Sequence, residues 1–541
     1  MHFSPPDEMA APEDRDGVQE PLLPGTTDHE RSDDGDRGYG TASVEEPRSE
    51  RGTFARNLGA LEAFGIVVSV VIGSGVFTSP GAIDTNVPSP GLALVVWLLG
   101  GVLAWTGAST LAELGTAIPG EGGVQPYLQY IFGDVFGFLA AWTWVVAVMP
   151  ATLAILSIVF VESIYAAAGV TDQASAPSHK ALSVLILILI TLANSLSTRA
   201  STRLNNFFVV AKFLTITAVA VAGLSIVIIH LADPERDVGG EDWYDRPWFG
   251  FRKTAIPDGS ETDWTELSQW EMLGHLSAAL YAALWAYSGW DKAIYVSAEL
   301  SNPVKQLPLS INAAIPTIIF SFLVANAAYY VLLPWRLVAT TDSVAVTSIT
   351  RLLGPAFGNV AAALVCIVVA GSLLGNSFIA SRMTVAAANK KWLPGVLSVL
   401  GRLGTPPSNS ADPTPGHRDS DAPEHPKPTS DGPINALLLA AILSSLYILF
   451  GNFRALLTFN GLGEYTFFFL TVVGVIVLRF REPQLHRPYK PNIAVPFVFA
   501  LVSGFVVVRG AAFAPVQAGV LLMVWVLGLA FYDVRRRWVG E

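Results

Sequence analysis

The stretch Ala63-Phe64-Gly65-Ile66-Val67-Val68-Ser69-Val70-Val71-Ile72-Gly73-Ser74-Gly75-Val76-Phe77-Thr78-Ser79-Pro80 is apolar throughout, yet it carries Gly-Ser-Gly at its centre. A helix that crosses a bilayer core of about 30 Å needs about twenty predominantly apolar residues, and residues 61–83 supply them. Each glycine inside a helix costs about 1 kcal/mol against alanine, so positions 73–75 read as a break in the helix. The same device recurs in Trp285-Ala286-Tyr287-Ser288-Gly289-Trp290-Asp291, with Asn302-Pro303 following.

Outward from these two stretches, further apolar runs occur at about 92–117, 136–167, 181–197, 206–231, 311–334, 354–386, 434–451, 455–479, 492–510 and 513–533. With 61–83 and 275–299 they make about twelve spans. The whole chain agrees: of 541 residues 52% are hydrophobic and 14% charged, with a mean hydropathy of +0.47. Soluble proteins carry roughly a quarter charged residues, so a chain this poor in charge cannot cover a water-facing surface. Open strands cannot cross lipid, which leaves an all-α integral membrane protein.

Lys and Arg near span ends set orientation. With the N-terminus inside, Arg199, Arg203, Lys305, Lys390, Lys391, Arg479, Arg481, Arg487, Lys490 and Arg535 to Arg537 all face the cytoplasm. Residues 1–57 read as a disordered cytoplasmic tail, 58–533 as the membrane domain and 534–541 as a short cytoplasmic tail. Residues 233–271 form an external loop rich in aromatics (Trp243, Tyr244, Trp248, Phe249, Trp264) that reads as a partly ordered cap. Residues 401–432, rich in Pro, Ser and Asp, read as a disordered cytoplasmic insertion. The net charge of -11 lies largely in the tail and loops and gives no reason to expect a nucleic acid partner.

Spans one and six hold corresponding places in two five-helix halves. One Gly-x-Gly in a membrane helix usually means close helix packing. Two breaks at corresponding places point to a transport site near the bilayer midplane. Unwinding frees N–H groups at the start of the second half-helix, where about half a positive charge favours a carboxylate. The carbonyls that end the first half-helix accept from an ammonium, so a zwitterion such as an amino acid is matched without a formal protein charge. An intramembrane enzyme would need a nucleophile or metal cluster, and the spans contain no HExxH, GxSxG or His/Asp grouping; no cofactor or metal is expected. A non-transporting amino acid sensor would share every one of these features.

Ile72-Gly73-Ser74-Gly75-Val76-Phe77, Ala112-Glu113-Leu114-Gly115, Tyr287-Ser288-Gly289-Trp290, Glu299 with Asn302-Pro303, Ser381-Arg382 and Arg481-Glu482-Pro483-Gln484-Leu485-His486-Arg487-Pro488-Tyr489-Lys490 carry a resemblance. They resemble the L-type amino acid transporters of the amino acid–polyamine–organocation superfamily over residues 58–533, and the long acidic tail and the insertion after span eight look most like the fungal branch, including its methionine-permease-like members. The resemblance implies a LeuT-type 5+5 inverted repeat with two extra helices and helices one and six interrupted. By position, Gly73, Ser74 and Gly75 would offer N–H groups to the substrate carboxylate. The carbonyls of Val71, Trp285 and Ser288 would receive the amine, with Trp285 as an aromatic gate. Lys212 aligns with a fifth-helix lysine found where sodium-coupled relatives bind their ion, which implies sodium-independent transport. A lysine within a span normally faces a partner or cavity, although snorkelling to the nearby cytoplasmic end is the plainer alternative.

The chain departs from the animal pattern at Asp291 and Glu464, both at asparagine positions. An intramembrane acid marks a functional site by default. Three readings stand: selecting a cationic substrate, carrying a coupled proton, or pairing locally, as Asp291 can with Lys292. Glu464 has no partner nearby in sequence, which favours proton handling there. The loop 168–180 lacks the cysteine by which animal relatives bond a heavy chain, so no disulfide-linked partner is expected. With no lysine in residues 1–60, Lys427 in the insertion is the expected point of attachment for ubiquitin, through a ligase adaptor. The membrane expected is the plasma membrane, with a vacuolar or endosomal one as the alternative.

Overall fold

A computed structural model describes residues 59–118, 123–168, 176–196, 198–236, 238–256, 259–294, 300–341, 343–399 and 433–539. The tail 1–57, the insertion 401–432 with Lys427, and Glu299 lie outside the described residues. The first half contains α1 (Ala60–Val71), α2 (Gly75–Asp84), α3 (Pro90–Ala117), α4 (Val124–Phe132), α5 (Asp134–Thr143), α6 (Met149–Ala167), α7 (Pro177–Leu196) and α8 (Thr198–Ala232). A π-turn at Trp144–Val148 joins α5 to α6 within one span. After α9 (Asp242–Asp245) and a two-stranded ladder, β1 (Thr254–Ala255) with β2 (Glu261–Thr262), the second half begins. It runs through α10 (Gln269–Ala286), α11 (Pro303–Leu332), α12 (Trp335–Thr340), α13 (Val344–Leu353), α14 (Pro355–Asn389), α15 (Ile434–Phe450) and α16 (Phe453–Arg481). Two further helices follow, α17 (Ala494–Phe513) and α18 (Pro515–Val539).

Nine helices among the described residues are long and apolar enough to cross a membrane. The apolar α15, with 17 residues, adds another span. The first span is divided into α1 and α2, and the sixth enters through α10, so the twelve runs of the sequence are all accounted for. Leu185, Leu189 and Leu192 of α7 and Leu522, Val526 and Leu527 of α18 point outward, as lipid-facing side chains must. Bulky side chains such as Trp97, Trp144, Trp290 and Tyr287 fill the interior instead.

The halves repeat one another in local detail. In each, a short helix (α4, α13) ends at a single glycine, Gly133 or Gly354, which starts the long third span of that half. The two glycines have nearly the same backbone angles, φ +97° ψ 174° and φ +89° ψ 173°. Positive φ is open to glycine and strained for other residues, so both corners require it.

The loop between the fifth and sixth spans packs over the first span. Arg252 Nη2 donates to both oxygens of Asp84 at 2.6 Å, and the Tyr330 hydroxyl donates to Asp84 Oδ1 at 2.6 Å. Trp264 Nε1 donates to Thr254 Oγ1 at 2.9 Å, and the Gly91 N–H donates to the Trp248 carbonyl at 2.8 Å. At the opposite end, buried Glu113 on α3 accepts from Arg479 Nε at 3.0 Å and pairs with Arg487 at 3.2 Å. Two of the quoted motifs therefore meet in one ionic knot.

Candidate substrate-binding site

The first break occupies Ile72–Ser74. The Gly73 N–H donates to the Val71 carbonyl at 2.8 Å, and the Phe77 and Thr78 N–H groups turn back to the Ser74 carbonyl at 2.9 and 3.1 Å. Ser74 and Gly75 thus stand at the N-terminal end of α2, where N–H groups precede the first intrahelical bond. The second break begins after Ala286. The Ser288 N–H bonds the Trp285 carbonyl at 2.9 Å, Gly289 takes φ +103°, and a short 3-10 turn runs from Lys292 to Ile294.

The breaks lie against each other. A Cβ on Gly75 would fall 2.3 Å from the Ala286 Cα, and one on Gly289 would fall 2.7 Å from the Val70 Cγ1. Only glycines let the two interrupted segments approach this closely. Between them is a cavity of about 20 Å³ lined by Val71, Gly73, Ser74, Gly75, Trp285 and Ser288. A water needs about 10–15 Å³ on the same measure, so this space takes about one water and is smaller than an amino acid.

Sequence reasoning missed three polar residues of this lining, Thr152, Ser372 and Asn376. Ser372 and Asn376 are spaced i, i+4 on the apolar α14, and that polar stripe was the signal available. Asn376 Nδ2 donates to the Ser372 carbonyl at 2.9 Å, and Thr152 Oγ1 donates to Asn460 Oδ1 at 3.1 Å. The lining carries no charged side chain. Two polar atoms facing the breaks, Ser74 Oγ and Trp285 Nε1, are buried without a hydrogen-bond partner among the described residues.

Lys212 is fully buried, and its Nζ donates to Ser372 Oγ at 3.1 Å. Ser372 Oγ in turn lies 3.0 Å from where a Cβ on Gly73 would stand, so a single hydroxyl separates the ammonium from the first break.

Asp291 and Glu464 do not line the cavity. They meet behind the second break, where Lys292 Nζ donates to Asp291 Oδ2 at 2.9 Å and lies 3.5 Å from Glu464 Oε1. Ser288 Oγ, from the cavity wall, reaches Glu464 Oε2 at 3.5 Å. All three ionisable groups are buried, and Asp291 Oδ1 finds no partner among the described residues. Glu464, without a partner nearby in sequence, gains Lys292 through the fold, 172 residues away.

The model of the family described as amino acid permease matches residues 58–531. The chain belongs to that family. The permease is 30% identical over 509 residues to the large neutral amino acids transporter small subunit 2 of Rattus norvegicus, covering 93% of this chain and 85% of the relative. Over 492 residues it is 28% identical to the b(0,+)-type amino acid transporter 1 of Homo sapiens, covering 91% and 90%. Over 490 residues it is 29% identical to the Asc-type amino acid transporter 1 of Mus musculus, covering 91% and 83%. The resemblance to L-type transporters therefore holds over nearly the whole chain, and the permease is an amino acid transporter of the membrane, not an enzyme.

Proposed function

We propose that the permease moves neutral amino acids, methionine or another large neutral amino acid, by alternating access through the cavity between the two breaks. The observation that carries this reading is that both breaks border one cavity whose wall has no charged side chain. A zwitterion finds opposite helix-end dipoles there, whereas a cationic side chain finds no carboxylate. In this reading the N–H groups of Ser74 and Gly75 hold the substrate carboxylate. The Gly73 N–H joins them when the break opens and its bond to Val71 is released. The carbonyls of Val71, Trp285 and Ser288 take the ammonium, and the Trp285 ring covers the side chain. Glu464 acts on the substrate through Ser288, and Asp291 acts on Glu464 through Lys292.

Coupling follows from the two buried lysine environments. The Lys212 ammonium stands where a sodium ion would otherwise neutralise the carbonyl-rich end of α1, so transport needs no sodium. Asp291 and Glu464 flank Lys292 as two carboxylates to one ammonium, and a proton on Glu464 removes the surplus charge. We place the permease at the plasma membrane with both termini in the cytoplasm.

Radiolabelled methionine uptake into proteoliposomes tests the reading. Saturable uptake should survive replacement of sodium by choline and rise when the outside is made acid. Glu464→Gln should remove the acid stimulation while leaving exchange of internal for external substrate. Uptake that collapses in choline refutes the role given to Lys212. Uptake that requires internal amino acid at every pH identifies an obligatory exchanger instead, and binding with no flux identifies a sensor.

A further inference from the structure

A second, larger cavity of about 550 Å³ opens where the start of α5 meets the ends of α14 and α18. Its wall carries four cations, Lys390, Lys391, Arg535 and Arg536, against one acid, Asp134. It is separate from the substrate cavity: Lys390 follows Asn376 by fourteen residues on or just beyond α14, about 21 Å along the helix axis.

Beneath the cations is an aromatic and apolar floor. Trp392 is buried with Phe138, Val145 and Leu393, and Tyr532 packs on Phe138 at a ring separation of 4.8 Å. Asp134 is committed to this floor, because it accepts from Trp392 Nε1 at 3.1 Å, Tyr532 Oη at 2.7 Å and Gln129 Nε2 at 2.8 Å. It therefore fixes the frame of the cavity and does not cancel the basic rim.

The backbone adds an independent observation. Lys391 is the only non-glycine residue with positive φ, +57°, among the described residues. Its N–H bonds the Ala388 carbonyl at 2.9 Å, and the Trp392 N–H bonds the Ala387 carbonyl at 3.0 Å. These bonds form a Schellman cap, in which the left-handed position is normally glycine. A lysine held there against its backbone preference is the kind of strain that persists at ligand clamps. The lipid-facing side chains of α18, Met523, Val526 and Leu527, lead along the helix towards Arg535. Basic pockets between transmembrane helices on the cytoplasmic side suit phosphate-bearing headgroups, and Trp and Tyr suit the interfacial depth.

We infer that this cavity binds the phosphate headgroup of an anionic phospholipid of the surrounding leaflet, clamped by Lys390, Lys391 and Arg535, with the acyl chains lying along α18. The headgroup ties the ends of the third, eighth and twelfth spans together.

Purified full-length protein in detergent, titrated with dioctanoyl phosphatidylserine and dioctanoyl phosphatidylinositol monophosphate, tests the inference by dissociation constant and by thermal shift. Both lipids should bind and raise the melting temperature, and dioctanoyl phosphatidylcholine should do neither. Lys391→Gly keeps the cap and relieves its strain. It should melt no lower than the wild type without lipid, yet bind about fivefold more weakly, the worth of one basic residue near an anionic surface. Adding Lys390→Gln should bring the loss to about 25-fold by the same factor. Equal binding of phosphatidylcholine, or unchanged affinity in both variants, overturns the inference. Binding of inorganic phosphate as tight as that of the lipids makes this a soluble-anion site and also overturns it. A full-length variant with Asp419→Asn, Asp421→Asn and Glu424→Gln addresses the acidic insertion. If the lipids bind only in that variant, the occupant is the chain's own insertion and the inference fails.

Discussion

Gly75→Ala tests whether the two breaks must touch. The added Cβ would fall 2.3 Å from the Ala286 Cα, 2.8 Å from its Cβ and 3.3 Å from its carbonyl carbon. Ordinary carbon contacts begin near 3.4 Å, so α2 and α10 must separate by about 1 Å at the point where they form the cavity wall. The obstacle is backbone, which cannot swing aside as a flexible side chain would. Overpacking of this kind costs about 1–3 kcal/mol, and a displacement of about 1 Å at a binding geometry can cost about a hundredfold in rate. Gly65→Ala is the matched control on α1. Its Cβ meets nothing within 4 Å, and alanine favours the helix by about 1 kcal/mol. Uptake normalised to surface protein, together with thermal denaturation of the purified permease, compares the two. Gly75→Ala should lose at least tenfold in kcat/KM and melt lower, while Gly65→Ala transports normally and melts no lower. Adding Ala286→Gly to Gly75→Ala should recover only part of the loss, because the closest contact is to Cα and remains. A Gly75→Ala permease with normal kcat/KM would refute the claim that the cavity depends on this crossing.

Two further outcomes concern the loop between the fifth and sixth spans. Arg252→Gln leaves Asp84 buried with one donor, Tyr330; breaking such a pair costs about 3–5 kcal/mol, readable by thermal denaturation, and adding Asp84→Asn should return part of it. Hydrogen bonds from Thr265 and then Lys253 hold the Asp263 carboxyl down at about 2 from an ordinary 3.8, so its stabilising contribution is complete above that ordinary value and lost as pH falls through about 2. Limited proteolysis of the loop should therefore be faster for Asp263→Asn by a constant factor at every pH above about 5, since the carboxylate is fully ionised throughout that range.

The spans were legible because crossing a bilayer imposes one simple demand, a run of apolar residues, that each sequence window states by itself. The breaks were legible because Gly73, Gly75 and Gly289 are poor choices for an unbroken helix. What could not be read was contact between distant segments. Nothing near Glu464 in sequence announces Lys292, and nothing near Glu113 announces Arg479 and Arg487. Ser372 and Asn376 were visible as polar residues in an apolar span, but their role as wall depended on which face of α14 turns inward. The use of the Gly73 N–H within the break was equally hidden, since a break's internal bonding follows from its exact backbone path.

The two breaks pose the same electrostatic problem and solve it differently. Each ends a half-helix, α1 at Val71 and α10 at Ala286, whose last carbonyls carry about half a negative charge. Each has a buried lysine close by: Lys212 reaches the first through Ser372, and Lys292 follows the second by six residues. The second lysine is shared with two carboxylates, and Glu464 lies on the fifth helix of its half just as Lys212 does of its own. Replacing the lysines should therefore have different consequences. Lys212→Met removes the cation that reaches the first break through Ser372 and should impair uptake alike at acid and neutral pH. Lys292→Met leaves Asp291 and Glu464 facing each other, and two buried carboxylates without their cation are untenable at neutral pH. Protons can replace the lost ammonium, so this variant should be nearly inactive at neutral pH and recover as the medium is acidified. Adding Asp291→Asn together with Glu464→Gln removes both buried carboxylates and should restore neutral-pH uptake while abolishing the acid dependence. Lys292→Met uptake equally impaired at every pH would show that the three groups do not share charge in the way their spacing requires.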